Sequence, residues 1–93
     1  MINKEIEKAR IEFELGSLDK SLLIVDKILH DDGNNIEALI IKAQVYYKQQ
    51  KWGDTLNLLN QVLDIEENNK IALSLKQMVM GIVKFWHKDN YNP

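Results

Sequence analysis

No cysteine occurs among the 93 residues, which excludes a disulfide framework and any thiolate metal site. The one proline is Pro93, the last residue, so nothing upstream carries the residue that most strongly breaks helices. Glycine is scarce, and Gly16, Gly33 and Gly53 fall between periodic apolar runs. The two histidines, His30 and His87, have no second His or Cys at ligand spacing. Asp31-Asp32-Gly33-Asn34-Asn35 superficially suggests a calcium loop. With Gly33 as the central glycine, however, the first ligand position falls on Ile28, which cannot coordinate, so a turn is expected instead. No phosphate loop, nucleophile elbow or pair of catalytic carboxylates is found. The expectation is a non-enzyme with no cofactor and no metal.

The chain also lacks an excess of positive charge. Its net charge is −2, and it has no basic patch of the kind that replaces counterions on nucleic acid. The start, Met-Ile-Asn-Lys-Glu-Ile-Glu-Lys, alternates charge where a signal peptide needs an apolar core. A cytoplasmic protein with neither nucleic-acid nor membrane partners is expected. Charge is unevenly distributed: residues 1–35 hold five basic and eight acidic groups, residues 36–69 three and five, and residues 70–93 four and one.

What is present is an internal repeat. Shifted by 34 residues, Ile2 falls on Ile36, Ala9 on Ala43, Leu22 on Leu56, Leu29 on Leu63 and Asn34-Asn35 on Asn68-Asn69. Ser21 with Thr55, Ile24 with Leu58, Val25 with Leu59 and Ile28 with Val62 keep their chemistry at the same offset. A second shift places Ala38, Leu39 and Lys42 on Ala72, Leu73 and Lys76. Helical periodicity between the breakers predicts five helices and an all-α fold. Gly16 should be a left-handed cap, and Ser17 should open the second helix. Asn35 should cap the third helix, Gly53-Asp54 start the fourth and Asn69 cap the fifth. The organisation is one domain: repeat one over 2–35, repeat two over 36–69, a closing helix over 70–88 and a tail over 89–93.

These two units resemble tetratricopeptide repeats, the family of 34-residue helix-turn-helix units. The resemblance rests on Ala43, Tyr46, Thr55 and Leu59 in the second unit and on Ala9, Ser21 and Val25 in the first. The chain departs from the pattern where the family has its opening tryptophan, here Glu5 and Leu39, and its closing proline, here Gly33 and Glu67. Glu12 takes the place of the first unit's aromatic. The resemblance implies a superhelix of stacked hairpins with a concave groove that holds peptides. By it, the groove is drawn by Ile6, Arg10, Phe13 and Glu14 of the first helix and by Ile40, Gln44, Tyr47 and Lys48 of the third. Ser74 and Met78 come from the fifth. Ile6, Phe13, Ile40 and Tyr47 read equally as the completion of a small core. The carboxylate clamp of the family's chaperone-tail binders would fall on Ile6, Arg10, Ile41, Ile71 and Leu75, of which only Arg10 could hold a carboxylate.

The fifth helix has apolar residues on two sides. Leu73 and Met80 are expected to face repeat two, leaving Leu75, Val79, Ile82 and Trp86 as an outward stripe for a homodimer contact. The functional expectation is an interaction module that takes a peptide or a partner helix in its groove. The alternative is a structural homodimer joined through the fifth helix, with the groove partly self-filled.

Overall fold

The computed structural model describes the backbone of residues 2–90 and the side chains of residues 4–85. It contains five helices: α1 (Ile2–Glu14), α2 (Leu18–Asp31), α3 (Ile36–Lys48), α4 (Trp52–Ile65) and α5 (Lys70–Asn90). The fold is all-α, with no strand among the described residues. Neighbouring helices pack in chain order, giving an elongated body of 50 × 28 × 20 Å. The bounds of α3 and α4 are those of α1 and α2 moved by 34 residues, and α5 begins one further period on. It continues to Asn90, two residues into the stretch assigned to the tail; residues 91–93 lie outside the described residues.

The turns repeat with the helices. At the end of α1 the Ser17 N–H donates to the Glu12 carbonyl (2.8 Å) and the Gly16 N–H to Phe13 (3.0 Å), with Gly16 at φ +83°. At the end of α3, Lys51 donates to Tyr46 (2.9 Å) and Gln50 to Tyr47 (3.0 Å), with Gln50 at φ 61°. Both closures have the Schellman bond pattern, but the second places a side-chain-bearing residue where glycine is favoured. Ser17 differs from its expected role. Its backbone closes α1 while its hydroxyl makes no capping bond to α2. The fourth helix starts at Trp52, with Lys51 at the cap position, one residue before Gly53. Between the hairpins, Asn35 Oδ1 accepts the Ala38 N–H (3.0 Å) and Asn69 Oδ1 accepts that of Ala72 (2.9 Å). Such caps contribute about 1 kcal/mol each.

The core forms two connected clusters. One joins Ile6 and Ala9 of α1, Val25 and Ile28 of α2, and Ala38 and Ile41 of α3. The other joins Leu39, Ile40 and Ala43 of α3, Leu59 and Val62 of α4, and Ala72 of α5. Ala9 and Ala43 are fully buried where the two helices of each hairpin meet. In the first hairpin the Ser21 hydroxyl donates to the Ala9 carbonyl across that contact (2.8 Å). In the second, the hydroxyl of Thr55 at the same position turns back and donates to the carbonyl of Lys51, the cap residue of α4 (2.7 Å). Lys42 of α3 reaches Asp26 of α2 at 2.8 Å, a partly exposed pair worth about 0–1 kcal/mol.

The structure corrects the orientation expected for α5. Val79 is fully buried and Leu75 is packed into the second cluster, while Leu73 and Met80 are exposed. Ile82 is half-buried, and the side chain of Trp86 lies outside those described. The stripe assigned to a dimer therefore belongs in large part to the intramolecular contact. The reason lies in the two faces of α3. Ala38 and Ile41 face back toward α2, whereas Leu39 and Ala43 face forward onto α4. Leu73 aligns with Leu39, so it lies on the forward face, and no helix follows α5 among the described residues to cover it.

Candidate interaction groove

Helices α1, α3 and α5 border two adjoining clefts. The first, of about 520 Å³, includes Arg10, Glu37, Ile40, Gln44, Asn69 and Ile71 in its wall. The second, of about 370 Å³, is bounded by Gln44 together with Lys70, Ile71, Ser74, Leu75 and Met78. Gln44 and Ile71 are common to both, which makes one continuous groove running from α1 to α5.

Its two ends differ in chemistry. At the α1 end, the Arg10 guanidinium donates to Glu7 (3.0 Å) and lies 3.9 Å from Glu37. The carboxylates of Glu7 and Glu37 thus flank the cation, and this end offers sites for a basic or hydrogen-bonding group. Glu66 and Asn69, joined by an Asn69 amide N–H donated to the Glu66 carboxylate (2.9 Å), border the same cleft where α4 gives way to α5. At the α5 end, Ile71 is 55% exposed and Met78 54%. Seven residues separate them, two helical turns, so both lie on the same side of α5. Apolar surface held open beside a polar rim is the usual composition of a protein-binding patch.

Of the residues expected in the groove, Arg10, Ile40, Gln44, Ser74 and Met78 come together there, although Ile40 is mostly buried beneath it. Ile6 is a core residue with 2% exposure, and its place in the groove is corrected accordingly. Phe13, Glu14, Tyr47 and Lys48 stand at the far ends of α1 and α3 and line neither cleft. Tyr47 packs edge-on against Trp52, with ring centroids 5.5 Å apart, and is occupied inside its own hairpin. Several residues not expected there, among them Glu37, Asn69 and Ile71, help to form the groove. The seven-residue spacing of Ile71 and Met78 was the available signal for Ile71.

Of the clamp positions, Ile6 and Ile41 are buried, and Arg10 is already paired with glutamates. Among the described residues no group of three metal-ligating side chains is found, and no helix is long and apolar enough to cross a membrane. His30 is exposed at the end of α2, its Nδ1 3.4 Å from Asp31. No family model, no curated protein and no solved structure matches the chain. The chemistry of the groove itself must therefore carry its assignment.

Proposed function

We propose that the chain is a non-catalytic protein-interaction module of the cytoplasm, built as two tetratricopeptide-type repeats and an added helix, whose groove takes a segment of a partner protein. The observation that carries this is the continuity of the groove from the rim where Glu37 stands beside Arg10 to the uncovered Ile71 and Met78. A segment with an apolar face and a basic residue at one end complements both parts. Burial of its apolar side chains supplies affinity, and the charges set its register.

The test is selection of displayed random peptides on the folded protein. Recovered peptides should combine apolar residues with Lys or Arg. They should lose at least about tenfold in affinity, 1.4 kcal/mol, on Ile71→Glu, with helicity and melting temperature held. Peptides that bind Ile71→Glu and Gln44→Ala as well as they bind the unaltered protein would place the site elsewhere.

A further inference from the structure

On the side of α5 away from Ile71 and Met78 lie Leu73 and Met80, seven residues apart and both exposed. The outer face of the last helix in a stacked array is expected to be polar. Here the polar residues around the two apolar ones carry one sign of charge. Lys70 is three residues before Leu73, Lys76 is three after it and four before Met80, and Lys84 is four after Met80, so the three lysines share this side of the helix. Ile71 and Met78 have no lysine at those spacings, and residues 70–85 contain no Asp or Glu.

The first repeat shows what this side lacks. Lys42, the counterpart of the half-buried Lys76, meets Asp26 of α2 at 2.8 Å. In the second repeat the place of Asp26 is held by Asn60, and among the described residues no carboxylate lies within ion-pair distance of Lys70, Lys76 or Lys84. Leu73 likewise aligns with Leu39, which packs with Leu59 and Val62 of α4. Both the apolar and the charged parts of the surface therefore have partners at the equivalent place one repeat earlier and none here.

We infer that this side of α5 binds an acidic amphipathic helix of a partner protein, whose apolar residues cover Leu73 and Met80 and whose carboxylates meet the flanking lysines. The α5 helix of a second copy does not fit, because it would set lysines against lysines. Gln77 narrows the geometry. It holds the place of Ala43, whose small, fully buried side chain lets α4 lie close to α3, so the occupant lies further out than α4 does or presents a small residue to Gln77. The surface is separate from the groove, and its partner carries the opposite charge. From Lys70 to Lys84 it spans about four helical turns. A contact of that size is weak, with dissociation expected at about 10–100 µM, and it should weaken further with salt.

The probe is a helical peptide of about 18 residues, with leucines at steps of three and four and glutamates elsewhere, compared with the same peptide carrying glutamine for every glutamate. By fluorescence anisotropy at low salt, the acidic peptide should bind the unaltered protein at least about tenfold more tightly than the neutral one. Leu73→Glu should weaken it at least about tenfold, and Lys76→Gln combined with Lys84→Gln by a similar factor, with helicity and melting temperature held. Ile71→Glu should leave it unchanged. No binding below about 500 µM, equal affinity of the two peptides, or loss on Ile71→Glu but not on Leu73→Glu would each overturn the proposal. So would binding to vesicles of phosphatidylserine and phosphatidylcholine without binding to the peptide, which would make a lipid surface the occupant. A mass that doubles with concentration unless Leu73 is changed to Glu would make it a second copy, with the same consequence. Peptides selected on the groove should bind Leu73→Glu as they bind the unaltered protein, so the two surfaces stand or fall separately.

Discussion

Helices α3 and α5 stand one repeat apart in closely similar settings toward the preceding hairpin. Ala38 and Val45 of α3 are fully buried, and so are Ala72 and Val79, their counterparts 34 residues later. On the forward face the two helices part company. Leu39 is 2% exposed beneath α4, whereas Leu73 at the equivalent place is 45% exposed. Burial in a stacked helical array is therefore a property of the neighbour as much as of the residue. A helix in such an array has one face whose partner precedes it in the chain and another whose partner follows.

The largest effect expected from this contrast is on stability. Leu39→Ala should destabilise the protein by about 2–4 kcal/mol through lost burial and the cavity left behind. Leu73→Ala should cost no more than about 0.5 kcal/mol, as exposed substitutions do. Urea unfolding of the two variants measures the difference directly. Equal costs would mean that Leu73 is covered, and the contrast between the helices would collapse.

The features readable from sequence were those set by local chemistry. Asn35 and Asn69 cap as their side chains dictate, and Gly16 takes the left-handed conformation it alone adopts without penalty. The number and order of the helices followed from period and breakers, whereas the fourth helix began at Trp52 rather than at Gly53 and the fifth ran on to Asn90. The orientation of α5 did not follow either, because aligning Leu73 with Leu39 identifies a position in the repeat without saying whether anything covers it. The groove was legible at Arg10, Gln44, Ser74 and Met78, whose neighbours are mostly polar or exposed. It was misjudged at Tyr47, whose ring is taken up by Trp52 from the next helix. The left-handed Gln50 gave no signal, since nothing in its side chain asks for that conformation and the neighbouring turn imposes it.

A smaller effect separates the two turns that close α1 and α3. Gln50→Gly should stabilise the protein by about 0.5–1 kcal/mol by relieving the left-handed penalty. Gly16→Ala should destabilise it by about 1 kcal/mol, although a Cβ at Gly16 would meet no neighbouring atom, because the cost is in the backbone. Thermal melts of both variants test the pair. A Gln50→Gly variant less stable than the original would show that the glutamine side chain contributes more than its conformation costs.

The orientation of α5 decides which of its residues hold the fold and which remain free for a partner, and thiol reactivity reads it residue by residue. In Met78→Cys and Val79→Cys, adjacent positions on one helix, the new thiols are the only ones in the chain. At low micromolar protein and without denaturant, Met78→Cys should react with a maleimide at close to the rate of an unfolded peptide. Val79→Cys should react at least about a hundredfold more slowly, since it is reached only when the helix opens. Equal rates, or a faster reaction at Val79→Cys, would contradict the packing of α5 and with it the placement of the groove.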